Sequence, residues 1–128
     1  MYEHTQSRAI CEGAGPRLPN GRTAGRYLQE AGVVVWVREV RRKHVLHFMD
    51  GFSINEGLLK QLRRAGVRLI RYVLDGDVYE IELVEFLSSC AVLPNFARGE
   101  DVYALPRASW RFQPRLDDLG LFAFAGRA

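Results

Sequence analysis

The chain is poor in cysteine, in lysine and in long apolar runs, and each shortage closes off a class of protein. Its two cysteines, Cys11 and Cys90, stand far apart with no Cys-x-x-Cys spacing, which fits neither a zinc module nor a disulfide-dense secreted scaffold. Uninterrupted apolar runs reach five residues, as at 33–37, whereas a membrane-spanning helix needs about 18 or more. No membrane partner is expected. The opening Met1-Tyr2-Glu3-His4 lacks a basic segment followed by an apolar stretch, so no secretory signal is read there and a cytoplasmic location is expected. Phosphate-cradling loops are missing as well. Gly13-Ala14-Gly15-Pro16-Arg17-Leu18 has leucine where a third glycine is required, and Gly51-Phe52-Ser53-Ile54-Asn55 has asparagine where a nucleophile elbow closes on glycine. No catalytic residue, cofactor or bound metal follows from these patterns.

What the chain does hold is apolar: 48% of its 128 residues are hydrophobic and 11% aromatic, enough for one packed core and too many for a disordered segment. Its bases are 16 arginines and two lysines, and arginine's planar fork matches phosphate and carboxylate oxygens better than lysine's point charge does. Charge is segregated along the chain. Positions 38–71 carry nine bases against three acids, and positions 72–90 carry five acids and no base. Asymmetry of that kind bears on partners rather than on fold.

Residues 1–22, with Gly-Ala-Gly-Pro and Leu-Pro-Asn-Gly and no apolar period, read as a mobile or loosely attached leader, and 23–128 as one domain. A short helical turn is expected over 23–31, closed by Gly32, followed by a β-branched strand over 33–40 whose composition suits a central position. Arg41-Arg42-Lys43 then turns the chain into a second strand at 44–49. Ser53-Ile54-Asn55-Glu56 has the form of a capping box. It predicts a helix with Ile54, Leu58, Leu62 and Ala65 on its inward stripe and Gly66 as its left-handed stop.

Strands at 67–74 and 78–84 flank Asp75-Gly76-Asp77, the strongest hairpin signal in the chain. One face gathers Ile70, Tyr72, Leu74, Tyr79, Ile81 and Leu83 for the core. The other mixes Leu69, Arg71, Val73, Val78, Glu80 and Glu82, with Arg71 opposite Glu80 or Glu82 according to which pair forms the loop. A short helix at 84–90 and short strands at 102–105, 109–112 and 119–125 follow. The fold class is thus α+β: a mainly antiparallel sheet with a β-β-α-β-β core, then a short helix and short strands, and one amphipathic helix packed on one face.

The functional reading that follows is a small soluble, non-catalytic binding module that contacts nucleic-acid phosphates, of DNA or RNA. Arg38, Arg41, Arg42 and Lys43 would act at a hairpin tip, and Arg63, Arg64 and Arg68 around the end of the helix. Trp36, Arg38 and His47 would share one face if Val40 pairs with Val45, which suits base stacking beside phosphate contact. The alternative is a homo-oligomer, expected as a dimer, in which the basic stretch of one copy meets the acidic stretch of another. A third and lesser reading takes Asp75, Asp77, Glu80 and Glu82 as the Mg²⁺ cluster of a nuclease-like hydrolase.

Overall fold

The computed structural model describes residues 13–46, 49–95 and 99–113. The chain runs through β1 (Gly13–Ala14), β2 (Arg26–Glu30), β3 (Val33–Val40), β4 (Gly51–Asn55), α1 (Glu56–Arg64), β5 (Val67–Leu74), β6 (Asp77–Glu82), α2 (Leu83–Ser89), β7 (Ala91–Leu93), β8 (Val102–Pro106) and β9 (Arg111–Gln113). Six strands form one sheet in the order β1-β2-β3-β5-β6-β9, and β4-β8-β7 form a second. The class is α+β, with mostly antiparallel sheets and two helices among the described residues.

Two hairpins make the centre of the larger sheet. The first joins β2 to β3 across Ala31-Gly32, with Glu30 paired to Val33 and both turn residues at positive φ. The second joins β5 to β6 across Asp75-Gly76, again with both at positive φ, and its register sets Arg71 opposite Glu80. Two-residue turns of this hand match the twist of the strands they connect. The hairpins meet along β3 and β5, which run parallel, with Trp36 beside Ile70 and Arg38 beside Tyr72. Parallel neighbours need a crossover, and here β4 and α1 supply it.

The β-β-α-β-β order is therefore corrected at its first hairpin. The antiparallel partner of β3 is β2: a 3₁₀ turn over Arg42–His44 ends the extended run, and among the described residues, which leave out 47 and 48, Leu46 forms an isolated bridge to Gly51. The expected helical turn over 23–31 is largely β2. The expected capping box is a strand instead: Ser53 and Ile54 lie in β4, and Asn55 caps α1 through backbone geometry with no side-chain hydrogen bond. Helix α1 buries Leu58, Leu59 and Leu62 and stops at Gly66, whose φ of 75° is left-handed as expected. Residues 119–125 lie outside the described residues.

Of the expected leader, the described part is packed rather than loose. Gly13–Ala14 pair with Tyr27 and Arg26, Pro16 is fully buried, and Gln61 on α1 both accepts from the Arg17 N–H at 2.7 Å and donates to the Arg17 carbonyl at 2.8 Å. The close approach depends on Gly15, where a β-carbon would sit 2.2 Å from the Ala24 oxygen.

One face of the large sheet is the core. Trp36, Ile70, Tyr72, Leu74, Tyr79 and Ile81 are buried there together with Phe52 and Ile54 of β4, the α1 leucines, Phe86 of α2 and Trp110. Leu83 joins them from the first residue of α2. On the opposite face Leu69, Val73 and Val78 are half-buried around Arg71, while Val84 is carried away on α2 and stands 78% exposed.

Candidate functional site

The parallel seam decides where the arginines go. Arg38 lies on β3 next to Tyr72 of β5, and Arg41 and Arg42 follow at the C-terminal end of the same strand. Arg63 and Arg64 end α1, and Arg68 opens β5, which begins beside Val34. Along β5, Arg68 and the Tyr72 that partners Arg38 are four residues apart, about 13 Å. Arg38, Arg41 and Arg42 thus follow one another at the C-terminal end of β3, with Lys43 inside the following turn, while at the other end of the seam Arg63 and Arg68 line one groove and Arg64 another.

Their pairing is uneven. Arg42 meets Asp75 at 2.8 Å in an exposed ion pair, an arrangement that contributes about 0–1 kcal/mol. Arg71 and Arg107, which the sequence did not single out for binding, are held internally. The first reaches Glu30 and Glu80, and the second reaches Asp50 at 3.0 Å. Among the described residues no carboxylate forms an ion pair with Arg38, Arg41, Arg63, Arg64 or Arg68. Arg41, Arg63, Arg64 and Arg68 are exposed to solvent. Arg17, within the presumed leader, is drawn into the second group, since it and Arg64 line the same groove beside Gln61.

Arg38 differs from the others in being half-buried. Its guanidinium sits 5.8 Å from the centre of the Trp36 ring and 6.0 Å from that of Tyr72, within cation–π range. Burial pushes the Tyr72 phenol above its ordinary value, and the Arg38 cation pulls it partly back. The Tyr72 hydroxyl donates to the Ser53 carbonyl at 3.0 Å, which ties the two sheets together at this point. Between them lies a recess of about 160 Å³, lined by Arg38, Val40 and Tyr72 from the large sheet, by Phe52, Ser53 and Asn55 from β4, and by His44.

The polar side chains of that recess are largely unspent. Asn55 occupies the capping position of α1 without using its amide as a cap, and neither it nor the Ser53 hydroxyl has a side-chain hydrogen bond to a described residue. His44 is engaged, its Nδ1 accepting the Arg41 N–H at 3.2 Å. Arg38, Ser53 and Asn55 are all able to donate. The sequence reading missed Ser53 and Asn55 because it assigned Ser53 to a cap and placed Asn55 within the helix that follows; alternation along a strand, which puts residues two apart on one side, is the signal that places them together.

The stacking platform is corrected. Trp36 is fully buried and its indole N–H donates to the Ala24 carbonyl at 2.8 Å, so its faces belong to the core, and His47 lies outside the described residues. The acidic set is not gathered either. Asp75 pairs with Arg42, Glu80 is buried against Arg71, and Asp77 and Glu82 fall on opposite faces of β6. Among the described residues no three His, Cys, Asp or Glu side chains converge as metal ligands, and no helix is long and apolar enough to cross a membrane.

Neither a family of known proteins, nor a curated protein sequence, nor a solved structure matches this chain.

Proposed function

We propose that the chain is a small non-catalytic module that binds nucleic acid through its phosphates, with Arg38, Arg41 and Arg42 at one end of the β3–β5 seam and Arg63, Arg64 and Arg68 at the other. The observation that carries this reading is the absence of internal carboxylate partners for five of these six arginines among the described residues, beside two other arginines, Arg71 and Arg107, that are fully engaged. Two groups whose nearest members, Arg38 and Arg68, stand about 13 Å apart along the seam suit a ligand that repeats its charge along its length. Such a ligand releases counterions on binding, so seven contacts including Lys43 predict a log–log salt slope of roughly −6 on duplex DNA. Arg41→Ala combined with Arg42→Ala should flatten that slope by about 2 with the melting temperature nearly unchanged. Fluorescence anisotropy with duplex and single-stranded oligonucleotides at low and high salt measures the slope, and a thermal denaturation scan the melting temperature. Affinity weaker than micromolar at low salt removes nucleic acid as the ligand.

A second reading, self-association, draws on a different observation. A groove of about 490 Å³ between the end of α1 and α2 is lined by the apolar Val67, Leu83, Val84 and Leu87 and by the charged Arg63, Arg68 and Glu82. Apposed across a twofold, each arginine pair faces the other copy's acid. Mass by size-exclusion chromatography with light scattering at two concentrations decides it, and Val84→Glu should return a dimer to monomer. A monomer at both concentrations ends this reading.

A further inference from the structure

We infer that the recess between the two sheets is a seat for one phosphate monoester, and that on nucleic acid its ligand is the terminal phosphate of a strand. The inference rests on the phosphate-binding reading and narrows it. Three donor-capable side chains, Arg38, Ser53 and Asn55, converge on about 160 Å³, a volume that admits a phosphate group with its waters and not a nucleoside with its base and sugar. The cation at its wall is half-buried on two aromatic faces and has no carboxylate to answer it among the described residues. A guanidinium withdrawn from bulk solvent in this way gains most from an anion that brings its own charge and several acceptor oxygens.

Shape favours an end over a backbone. The recess is more enclosed than the grooves beside Arg64 and Arg68, and a phosphodiester must leave in two directions, whereas a terminal phosphate enters with one continuation and carries nearly twice the charge. The exposed Arg41 and Arg42 stand next along the chain, where they meet the phosphates that follow the first.

The test uses three oligonucleotides of one sequence, carrying a 5′-phosphate, a 3′-phosphate or hydroxyls at both ends, titrated by anisotropy at low salt. One phosphorylated end should bind about tenfold tighter than the hydroxyl-ended strand, and which end does so identifies the polarity. Asn55→Asp sets a carboxylate of nearly the same shape in the recess, where it answers Arg38 internally, and aspartate is as good a residue as asparagine at a helix start. That variant should bind all three strands alike. Equal binding of the three strands by the unaltered protein overturns the inference, as does a terminal-phosphate preference that survives Asn55→Asp. If no strand binds, the nucleic-acid reading falls, and inorganic phosphate then judges the recess by itself: movement of the Arg38 side-chain NMR signal, lost in Asn55→Asp, upholds the seat, and an unmoved signal rejects it.

Discussion

Phe52→Ala is expected to lower the unfolding free energy by about 3–5 kcal/mol, read as a shift in the denaturation midpoint at constant slope. Phe52 is 1% exposed and its ring meets three others edge-on: Tyr72 at 5.1 Å, Tyr79 at 5.4 Å and Trp110 at 5.2 Å between centres. It comes from β4, whose hydrogen-bonded neighbour is β8, while Tyr72 and Tyr79 belong to the larger sheet, so the ring is a joint between the two sheets. Truncation removes the transfer free energy of the ring and about 0.5–1.5 kcal/mol for each aromatic contact. It also leaves a cavity whose walls are held in strands and cannot close. Total stability for a domain is about 5–15 kcal/mol, so the variant falls near the threshold of folding. A loss below about 1 kcal/mol would show that the sheets are joined elsewhere.

Arg71→Met is expected to cost about 3–5 kcal/mol at neutral pH, the range found when one member of a buried ion pair is removed. The guanidinium lies on the solvent-side face of the large sheet and bridges two strands. Its Nε–H donates to Glu80, and its two terminal nitrogens donate to the two Glu30 oxygens at 2.8 Å each. Glu80 is the buried member, 5% exposed, and accepts one further bond from Gln113 at 3.0 Å. Without Arg71 that carboxylate is left in a poorly solvated place with a single neutral donor. Arg71→Met with Glu80→Leu should recover most of the loss, since apolar replacement of a whole buried pair is close to neutral.

The same bridge has a pH signature. The hydrogen bond from Arg71 holds the Glu30 carboxyl below its ordinary value of 4.5. A folded-state value lower than the unfolded one adds stability that is complete above 4.5 and is lost as pH falls through the folded value. Arg71→Met should erase that part of the acid dependence, which is small because Glu30 is largely exposed. Denaturation midpoints measured from neutral pH down through the carboxylate range check both statements. An unchanged acid profile in the variant would sever Glu30 from Arg71.

Legibility from sequence followed the local signals. Asp75-Gly76 announced its hairpin because both residues tolerate positive φ, and period-two alternation then sorted Ile70, Tyr72, Leu74, Tyr79 and Ile81 into the core. The β2–β3 hairpin was hidden because its turn puts Ala31, not asparagine or aspartate, at a φ of 51°, and glycine after a short polar segment reads equally as a helix stop. The parallel contact of β3 with β5 leaves no mark in either strand, since periodicity tells which face is apolar and not which strand lies alongside. For the site, composition located the arginines and segregation flagged them. Their division between two ends of a seam, and the enclosure of Arg38 alone, depend on that unseen pairing.

The seam also imposes a timetable on folding. Each hairpin closes over two residues and can form within its own stretch of chain, but the contact between them encloses β4 and α1, so the entropy of a long loop is lost before that contact returns anything. Assembly of the pair is thus the expected slow event in refolding. Because Arg38 and Tyr72 face each other across it, the recess they line exists only once the two hairpins have met, and a partly assembled chain carries the arginines without the pocket.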